Sequence, residues 1–89
     1  MTGVAPASGV SWTDTGDFIV FCRISTGAMM RTNETGRLVL VSVLERDDRA
    51  SAVSELMAAL GLGHEAAEKY VSDYLADLIS NGWLLACGN

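Results

Sequence analysis

The first third of the chain alternates apolar and polar residues in short runs separated by turn-forming residues. Residues 10–13 alternate and carry an aromatic side chain, and residues 18–24 are β-branched and aromatic, which is typical of strands. Residues 14–17 between them hold the Asp and Gly that tight reversals favour. A second reversal at residues 25–27 returns the chain as a third strand over residues 28–32. The pattern predicts an antiparallel meander, whose two outer strands have unpaired backbone N–H and C=O groups.

From Asn33 onward the apolar spacing becomes that of helices. Asn33 is a good N-cap, because its side chain can accept from the free N–H groups of a first turn. Residues 38–44 are apolar nearly all round, which predicts a central helix, although such a run is also compatible with a strand. Asp48 predicts the start of a second helix over residues 50–60. Its apolar face consists of Val53, Leu56, Met57 and Leu60.

A third helix over residues 64–81 is the clearest element. Apolar residues recur at spacings of three and four, which indicates one buried stripe. The stripe consists of Ala67, Tyr70, Val71, Tyr74, Leu75 and Leu78. Gly82 favours the end of the helix, and residues 83–85 are expected to pack the tail back onto the body. The order of elements predicts an α+β fold that is winged helix-turn-helix-like: a three-stranded antiparallel sheet followed by three helices.

Length and composition favour one domain. The chain has 89 residues, of which 49% are hydrophobic and 19% charged, enough for a single core. Residues 1–9 are small and polar, and we expect a flexible N-terminal arm there, with the domain over residues 10–89. No secretory signal or membrane anchor is recognisable in that arm, and the longest apolar run is far shorter than the roughly 20 residues a bilayer requires. A cytoplasmic protein is expected, without a membrane partner.

The net charge of −5 argues against a nucleic-acid partner, because phosphate attracts basic surfaces. A winged-helix reader of DNA would need Arg, Lys, Asn or Gln on the outer face of its third helix. Lys69 is the one basic residue on that face here. The others are Glu65, Glu68, Ser72, Asp73 and Asp77. A small winged-helix transcriptional regulator therefore remains only as the alternative reading.

Groups for catalysis are few. His64 is the one histidine and is interpreted as a solvated residue at a helix start. Cys22 lies in an apolar strand, where a thiol behaves as a small hydrophobe. Cys22 and Cys87 could pair in a secreted protein, but the absence of a signal favours two reduced thiols. Asp73 and Asp77 have the spacing of a solvated helix face. We therefore expect no enzymatic activity, no metal and no cofactor.

Residues 27–36, G-A-M-M-R-T-N-E-T-G, resemble the PqqD-like domains, also called precursor-peptide recognition elements. That family has a hairpin turn ending in Gly, a strand ending in Leu-Asn, and a helix directly after the Asn. The matching positions here are Gly27, Asn33 and the small residue Gly36. Residues 11–16, S-W-T-D-T-G, are similar to the opening of the small subunit used in lasso-peptide biosynthesis. The family's C-terminal pattern resembles Leu75, Leu78, Gly82, Trp83 and Leu84.

The likeness extends over residues 10–85, with departures at three places. Thr32 replaces the family's Leu before the Asn, Met29 and Met30 replace aromatic residues, and Arg23 replaces a frequent Asp. The resemblance implies a peptide-recognition domain over residues 10–89. Such a domain binds the leader segment of a ribosomally made precursor peptide as an added strand and presents it to a separate modifying enzyme or leader peptidase. A third possibility is an enzyme subunit with no ligand of its own.

By the same resemblance, the leader lies beside the third strand, in a groove bounded by the third helix. The residues implied on the strand are Ala28, Met29, Met30 and Arg31. Those implied on the helix are Lys69, Tyr70, Asp73, Tyr74 and Asp77. The flexible thioether of Met adapts to varied ligand shapes. Plain core packing is the competing interpretation for both Met residues and both Tyr residues.

Overall fold

In the part of the chain that the structure describes, residues 3–86, two small antiparallel sheets pack with three helices. The structure is a computed structural model. Its elements in chain order are β1 (Val4–Pro6), β2 (Val10–Asp14), β3 (Ile19–Arg23), β4 (Ala28–Arg31), α1 (Glu34–Leu40), a π-helical turn (Val41–Glu45), α2 (Arg49–Leu60), α3 (His64–Ser80) and β5 (Leu84–Ala86). The predicted α+β arrangement of a three-stranded antiparallel sheet and three helices is confirmed.

The larger sheet has the order β2-β3-β4, with every neighbour antiparallel. Its register places Phe21 between Trp12 and Met30. Ile19 and Phe21 are fully buried, so one face of the sheet packs against the helices. Strand β4 is the last strand in this order, and its outer edge has no strand beside it within residues 3–86.

A second sheet joins the two ends of the described chain. Strand β1 pairs antiparallel with β5, with Val4 opposite Ala86 and Pro6 opposite Leu84. A strand therefore lies within residues 1–9, where the sequence predicts only an arm; Met1 and Thr2 are outside the described residues. Because β1 has three residues and pairs with a strand at the other end of the described chain, no local alternation of apolar and polar residues predicts it. Of the predicted tail contacts, Leu84 is fully buried and Trp83 packs against the core, whereas Leu85 is 50% exposed.

The two predicted helix caps are confirmed. The Asn33 side chain accepts from the Gly36 N–H at 2.7 Å, and the Asp48 side chain accepts from the Ser51 N–H at 3.1 Å. The first helix differs from the prediction, because its α-helical part ends at Leu40 and the π-helical turn follows. Within that turn the Arg46 N–H donates to the carbonyl five residues back at 3.3 Å. A π-helical turn contains one residue more than an α-helical turn, and a run that is apolar nearly all round does not predict this change.

The core is centred on α3. Four residues of the predicted stripe are buried: Ala67, Val71, Leu75 and Leu78. Truncating Leu75 or Leu78 to Ala would cost about 2–5 kcal/mol, because each is almost fully enclosed. Tyr70 and Tyr74 are half-buried at the margin of the stripe. On α2 the predicted apolar face is shorter than expected, since Leu60 is 46% exposed. None of the helices in residues 3–86 combines the length and apolarity that crossing a bilayer would need.

Candidate functional site

The outer edge of β4 presents free backbone groups at two residues. The Thr32 N–H donates to the Ile19 carbonyl at 2.9 Å, so the backbone of Thr32 faces β3. In antiparallel pairs, residues alternate between facing the partner strand and facing away. Met30, which is opposite Phe21, therefore also faces β3. It follows that the N–H and C=O groups of Met29 and Arg31 point away from the sheet, where another strand could pair with them.

The side chains of β4 alternate between the two faces of the sheet. Ala28 and Met30 lie on the face of Phe21, and Met30 packs against the core. Met29 and Arg31 lie on the opposite face, where Met29 is 67% exposed. The Arg31 guanidinium lies 4.8 Å from the centre of the Phe18 ring. The four residues predicted on the strand are therefore together on β4, but only Ala28 and Met30 direct their side chains towards the helices.

Thr32 follows β4 and fixes its end. Its hydroxyl accepts from the Ile19 N–H at 2.9 Å, in addition to the backbone bond between the two residues. The sequence shows Thr32 only as a departure from the family's Leu, yet the residue is 7% exposed and makes two hydrogen bonds to Ile19 of the neighbouring strand. A polar residue at a buried strand end can be recognised in sequence only once the strand register is known.

Helix α3 has two flanks with different neighbours. On one flank, the Ser72 hydroxyl accepts a hydrogen bond from Arg49 of α2. On the other, Tyr74 reaches the end of β4: a β-carbon placed on Gly36 would lie 2.9 Å from Cζ of Tyr74 and 3.2 Å from Cβ of Thr32. Tyr74, Thr32 and Gly36 thus converge at one point. This second flank of α3 therefore faces the sheet.

The same flank contacts the sheet again at the end of α3. Arg23, which is opposite Ala28, donates to the carbonyl of Asn81 at 3.4 Å. Its guanidinium also lies 4.6 Å from the centre of the Trp83 ring. Helix α3 therefore runs along the sheet from the Thr32 end of β4 to the level of Ala28. We call the space beside β4 that this flank borders the edge groove.

The helix side of the edge groove is aromatic and acidic. Tyr70, Tyr74, Asp77 and Asn81 share the sheet-facing flank, because they are separated by four, three and four residues. The rings of Tyr70 and Tyr74 are stacked with centroids 6.1 Å apart and an angle of 29° between their planes. Burial raises the pKa of Tyr74 to about 12, with further contributions from Tyr70 and Asp77. Tyr74 therefore keeps its proton at neutral pH and can donate a hydrogen bond.

Lys69 and Asp73 lie further from the sheet on α3. Nζ of Lys69 is 2.7 Å from Oδ2 of Asp73, and both side chains are well exposed. The hydrogen bond that Lys69 donates to Asp73 raises the pKa of Lys69. Of the five predicted helix residues, Lys69, Asp73 and Asp77 are exposed and Tyr70 and Tyr74 are half-buried, and Tyr70, Tyr74 and Asp77 share the sheet-facing flank. Lys69 and Asp73 form the solvated rim of the edge groove.

A shallow depression adjoins the Thr32 end of β4. Its volume is about 550 Å³, and it is lined by Asp17, Phe18, Arg31, Thr32, Asn33 and Glu34. It opens where the β2–β3 turn meets the start of α1. The edge groove itself depends on a strand edge and a helix flank, so an extended chain suits it better than a compact small molecule.

Groups for chemistry are sparse in the described part of the chain. No cluster of three or more His, Cys, Asp or Glu side chains that could hold a metal occurs in residues 3–86. His64 is exposed, and its Nε2 is 3.8 Å from Glu68. Cys22 is a half-buried free thiol, and Cys87 lies outside the described residues.

These features define a small α+β domain with an open antiparallel strand edge beside an amphipathic helix. The family described as Coenzyme PQQ synthesis protein D (PqqD) matches residues 19–84. The chain belongs to this family. The match spans β3, β4, all three helices and the first residue of β5, so it includes both sides of the edge groove.

Two solved structures share the fold. One is a lasso peptide synthetase B1 complexed with its leader peptide, at a TM-score of 0.79 and 19% identity, covering 93% of this chain and 98% of that one. The other is TbiB1 in complex with the TbiA(beta) leader peptide, at a TM-score of 0.75 and 20% identity, covering 94% of this chain and 98% of that one. A search of the curated proteins gives no match.

Proposed function

We propose that this chain binds the leader segment of a ribosomally made precursor peptide by strand addition to β4. The observation that carries the proposal is the outward direction of the N–H and C=O groups of Met29 and Arg31, beside the sheet-facing flank of α3. Membership of the PqqD family supports it. The two structural relatives, which hold leader peptides, support it as well.

The physical basis of binding is β-augmentation. Two outward-facing residues offer up to four backbone hydrogen bonds, each contributing about 0.5–1.5 kcal/mol net. Alternate side chains of the added strand would point towards α3, where Tyr70, Tyr74 and Asp77 contact them. Backbone pairing gives affinity for any extended peptide, and the helix side of the groove gives selectivity.

We further propose that the chain has no catalytic role and presents the bound peptide to a separate modifying enzyme or leader peptidase. The scarcity of reactive groups around the edge groove supports a binding function. The proposed compartment is the cytoplasm, where Cys22 would remain a reduced thiol. The proposed fold label is winged helix-turn-helix-like, supported by the succession of β2, β3, β4 and the three helices.

Proline variants on β4 test strand addition. Proline lacks an N–H and is tolerated where that N–H faces solvent. In Met29→Pro the lost N–H is the outward one, so we expect a folded domain with leader affinity reduced about 2- to 12-fold. In Met30→Pro the lost N–H faces β3, so the sheet itself should be destabilised. Calorimetry with the leader segment of a candidate precursor peptide measures affinity, and circular dichroism measures folding.

Met29→Ala is the matched control. It removes the side chain on the far face of the sheet and keeps the outward N–H, so affinity should stay near that of the wild type. Equal affinity of Met29→Pro and wild type would mean that the leader does not pair with β4. Presentation is tested separately, by measuring turnover of the leader-bearing precursor by its modifying enzyme or peptidase with and without this chain. Equal turnover would exclude that role.

A further inference from the structure

The helix side of the edge groove carries a carboxylate that no basic side chain in residues 3–86 neutralises. We infer that the peptide segment bound in the edge groove has a Lys or Arg side chain opposite Asp77. This inference rests on the proposed function, because it concerns the occupant of the same groove. It adds a chemical requirement on the ligand that backbone pairing alone does not impose.

The position of Asp77 is set by its neighbours on α3. It lies three residues after Tyr74, whose phenol packs beside Gly36 close to Thr32, and four residues before Asn81, whose carbonyl accepts from Arg23. Asp77 is thus between two points where α3 meets the sheet, on the same flank and exposed. Its own backbone carbonyl accepts from the Asn81 side chain at 2.8 Å, which fixes the last turn of the helix.

None of the six basic side chains of the protein forms an ion pair with Asp77 in the described residues, although Arg23 donates to the nearby Asn81 carbonyl. Arg37 pairs with Asp14, Arg46 with Glu55, and Lys69 with Asp73. Arg49 donates to Ser72, while Arg23 and Arg31 lie over the rings of Trp83 and Phe18. Among the described residues, Asp77 is therefore a carboxylate beside the open strand that forms no ion pair with a Lys or Arg side chain.

Asp73, the neighbouring carboxylate on α3, already forms an ion pair within the protein. Asp73, one turn earlier on α3, already has Lys69 at 2.7 Å. A basic peptide side chain would thus gain more from Asp77 than from Asp73. A strand added to β4 directs every second side chain towards α3, and Lys and Arg are long enough to reach across to a helix flank.

The net negative charge of the protein also favours a basic peptide over an acidic one. A protein of net charge −5 attracts a basic segment from a distance and repels an acidic one, so a basic residue also speeds association. Because the pair is partly solvated, its effect on affinity is modest, about two- to fivefold. That is enough to bias which residue occupies one position of a bound strand.

The test uses a display library of short random peptides, selected in parallel on the full chain and on its Asp77→Asn and Met29→Pro variants. We expect peptides selected on the wild type to be enriched in Lys or Arg at one fixed position. On Asp77→Asn, binders should still be recovered but without that enrichment. Asp73→Asn is the matched control, and it should keep the enrichment because Asp77 is intact.

One selected peptide and its Lys→Gln or Arg→Gln form then complete a double-mutant cycle with Asp77→Asn. The substitution should weaken binding to the wild type about two- to fivefold and have little effect on binding to the variant. Equal effects on both proteins, or binders without a positional preference for basic residues, would overturn the inference while leaving strand addition intact. If no selected peptide loses affinity for Met29→Pro, strand addition itself fails and the inference fails with it.

Discussion

The ring of Tyr74 occupies the space that a side chain on Gly36 would need. Gly36 is the third residue of α1, where its N–H donates to the Asn33 cap. A glycine within a helix lowers stability by roughly 0.5–1 kcal/mol relative to alanine. The close approach of Tyr74 explains why glycine is nevertheless found at this position.

Gly36→Ala should therefore destabilise the domain instead of stabilising the helix. A β-carbon would overlap the phenol, and such overpacking typically costs about 1–3 kcal/mol. Urea denaturation measures the change. In a Tyr74→Ala background the phenol is gone and only the 3.2 Å approach to Cβ of Thr32 remains, so the same substitution should lower the free energy of unfolding much less. An equal loss of stability from Gly36→Ala in both backgrounds would show that Tyr74 is not the cause.

A second prediction concerns acid stability. The Asp14 carboxylate accepts from Nε of Arg37 at 2.7 Å and from Nη2 at 2.9 Å, which fastens the β2–β3 turn to α1. The hydrogen bond from Arg37, with another from the Gly16 N–H, lowers the pKa of Asp14. A lowered pKa stabilises the fold at pH values above about 4, the ordinary value, and this contribution disappears as pH falls through the folded pKa.

Asp14→Asn should accordingly lower the free energy of unfolding at pH 7 and flatten its decline between about pH 5 and 2. Urea denaturation across that range, for wild type and variant, provides the comparison. Asp17→Asn, in the same turn, is the control because Asp17 makes no ion pair with Arg37. If the free energy of unfolding declines in parallel for wild type and Asp14→Asn as pH falls, the Asp14–Arg37 ion pair does not cause the loss of stability in acid.

A third prediction concerns nucleic acid. Helix α3 exposes Glu65, Glu68, Asp73 and Asp77, which would face phosphate in any complex that used this helix for reading DNA. We expect no mobility shift of duplex DNA at low salt, where electrostatic attraction is strongest. A complex that dissociates as salt is raised would restore the transcription-regulator alternative.

A fourth prediction concerns catalysis. His64 is exposed at the start of α3, and its near neighbour is the Glu68 carboxylate at 3.8 Å. Replacing His64 by Ala should leave leader affinity and the output of the modifying pathway unchanged. Loss of output in a variant that folds and binds the leader normally would indicate a chemical role for this histidine.

Local patterns predicted much of the fold because their causes are local. The Asn33 and Asp48 caps depend on side chains within three residues of the groups they bind. The stripe of α3 depends on helical spacing alone. By contrast, the pairing of β1 with β5 links the two ends of the chain. The π-helical turn depends on how the apolar run packs, which its composition does not specify.

The candidate site was predictable at the level of elements, through the family resemblance. The sequence does not predict which backbone groups on β4 are free, because that depends on the strand register. Thr32 faces β3, so the backbone groups of Met29 and Arg31 face outward. In the sequence, Gly36 stands out only as a small residue that matches the family pattern. Its contact with Tyr74 joins residues far apart in sequence and becomes visible only when α1 and α3 are packed.

An open strand edge also invites a second copy of the same chain. Two β4 strands could pair about a two-fold axis at Met30, with each Met29 bonded to the partner's Arg31. Side chains of Met30 from both copies would then lie on one face of a continuous sheet, and both α3 helices would be on that face. The acidic flanks of both helices would then be brought to the same side of the sheet, and like charges repel. The acidity of α3 would thereby discourage self-association along β4.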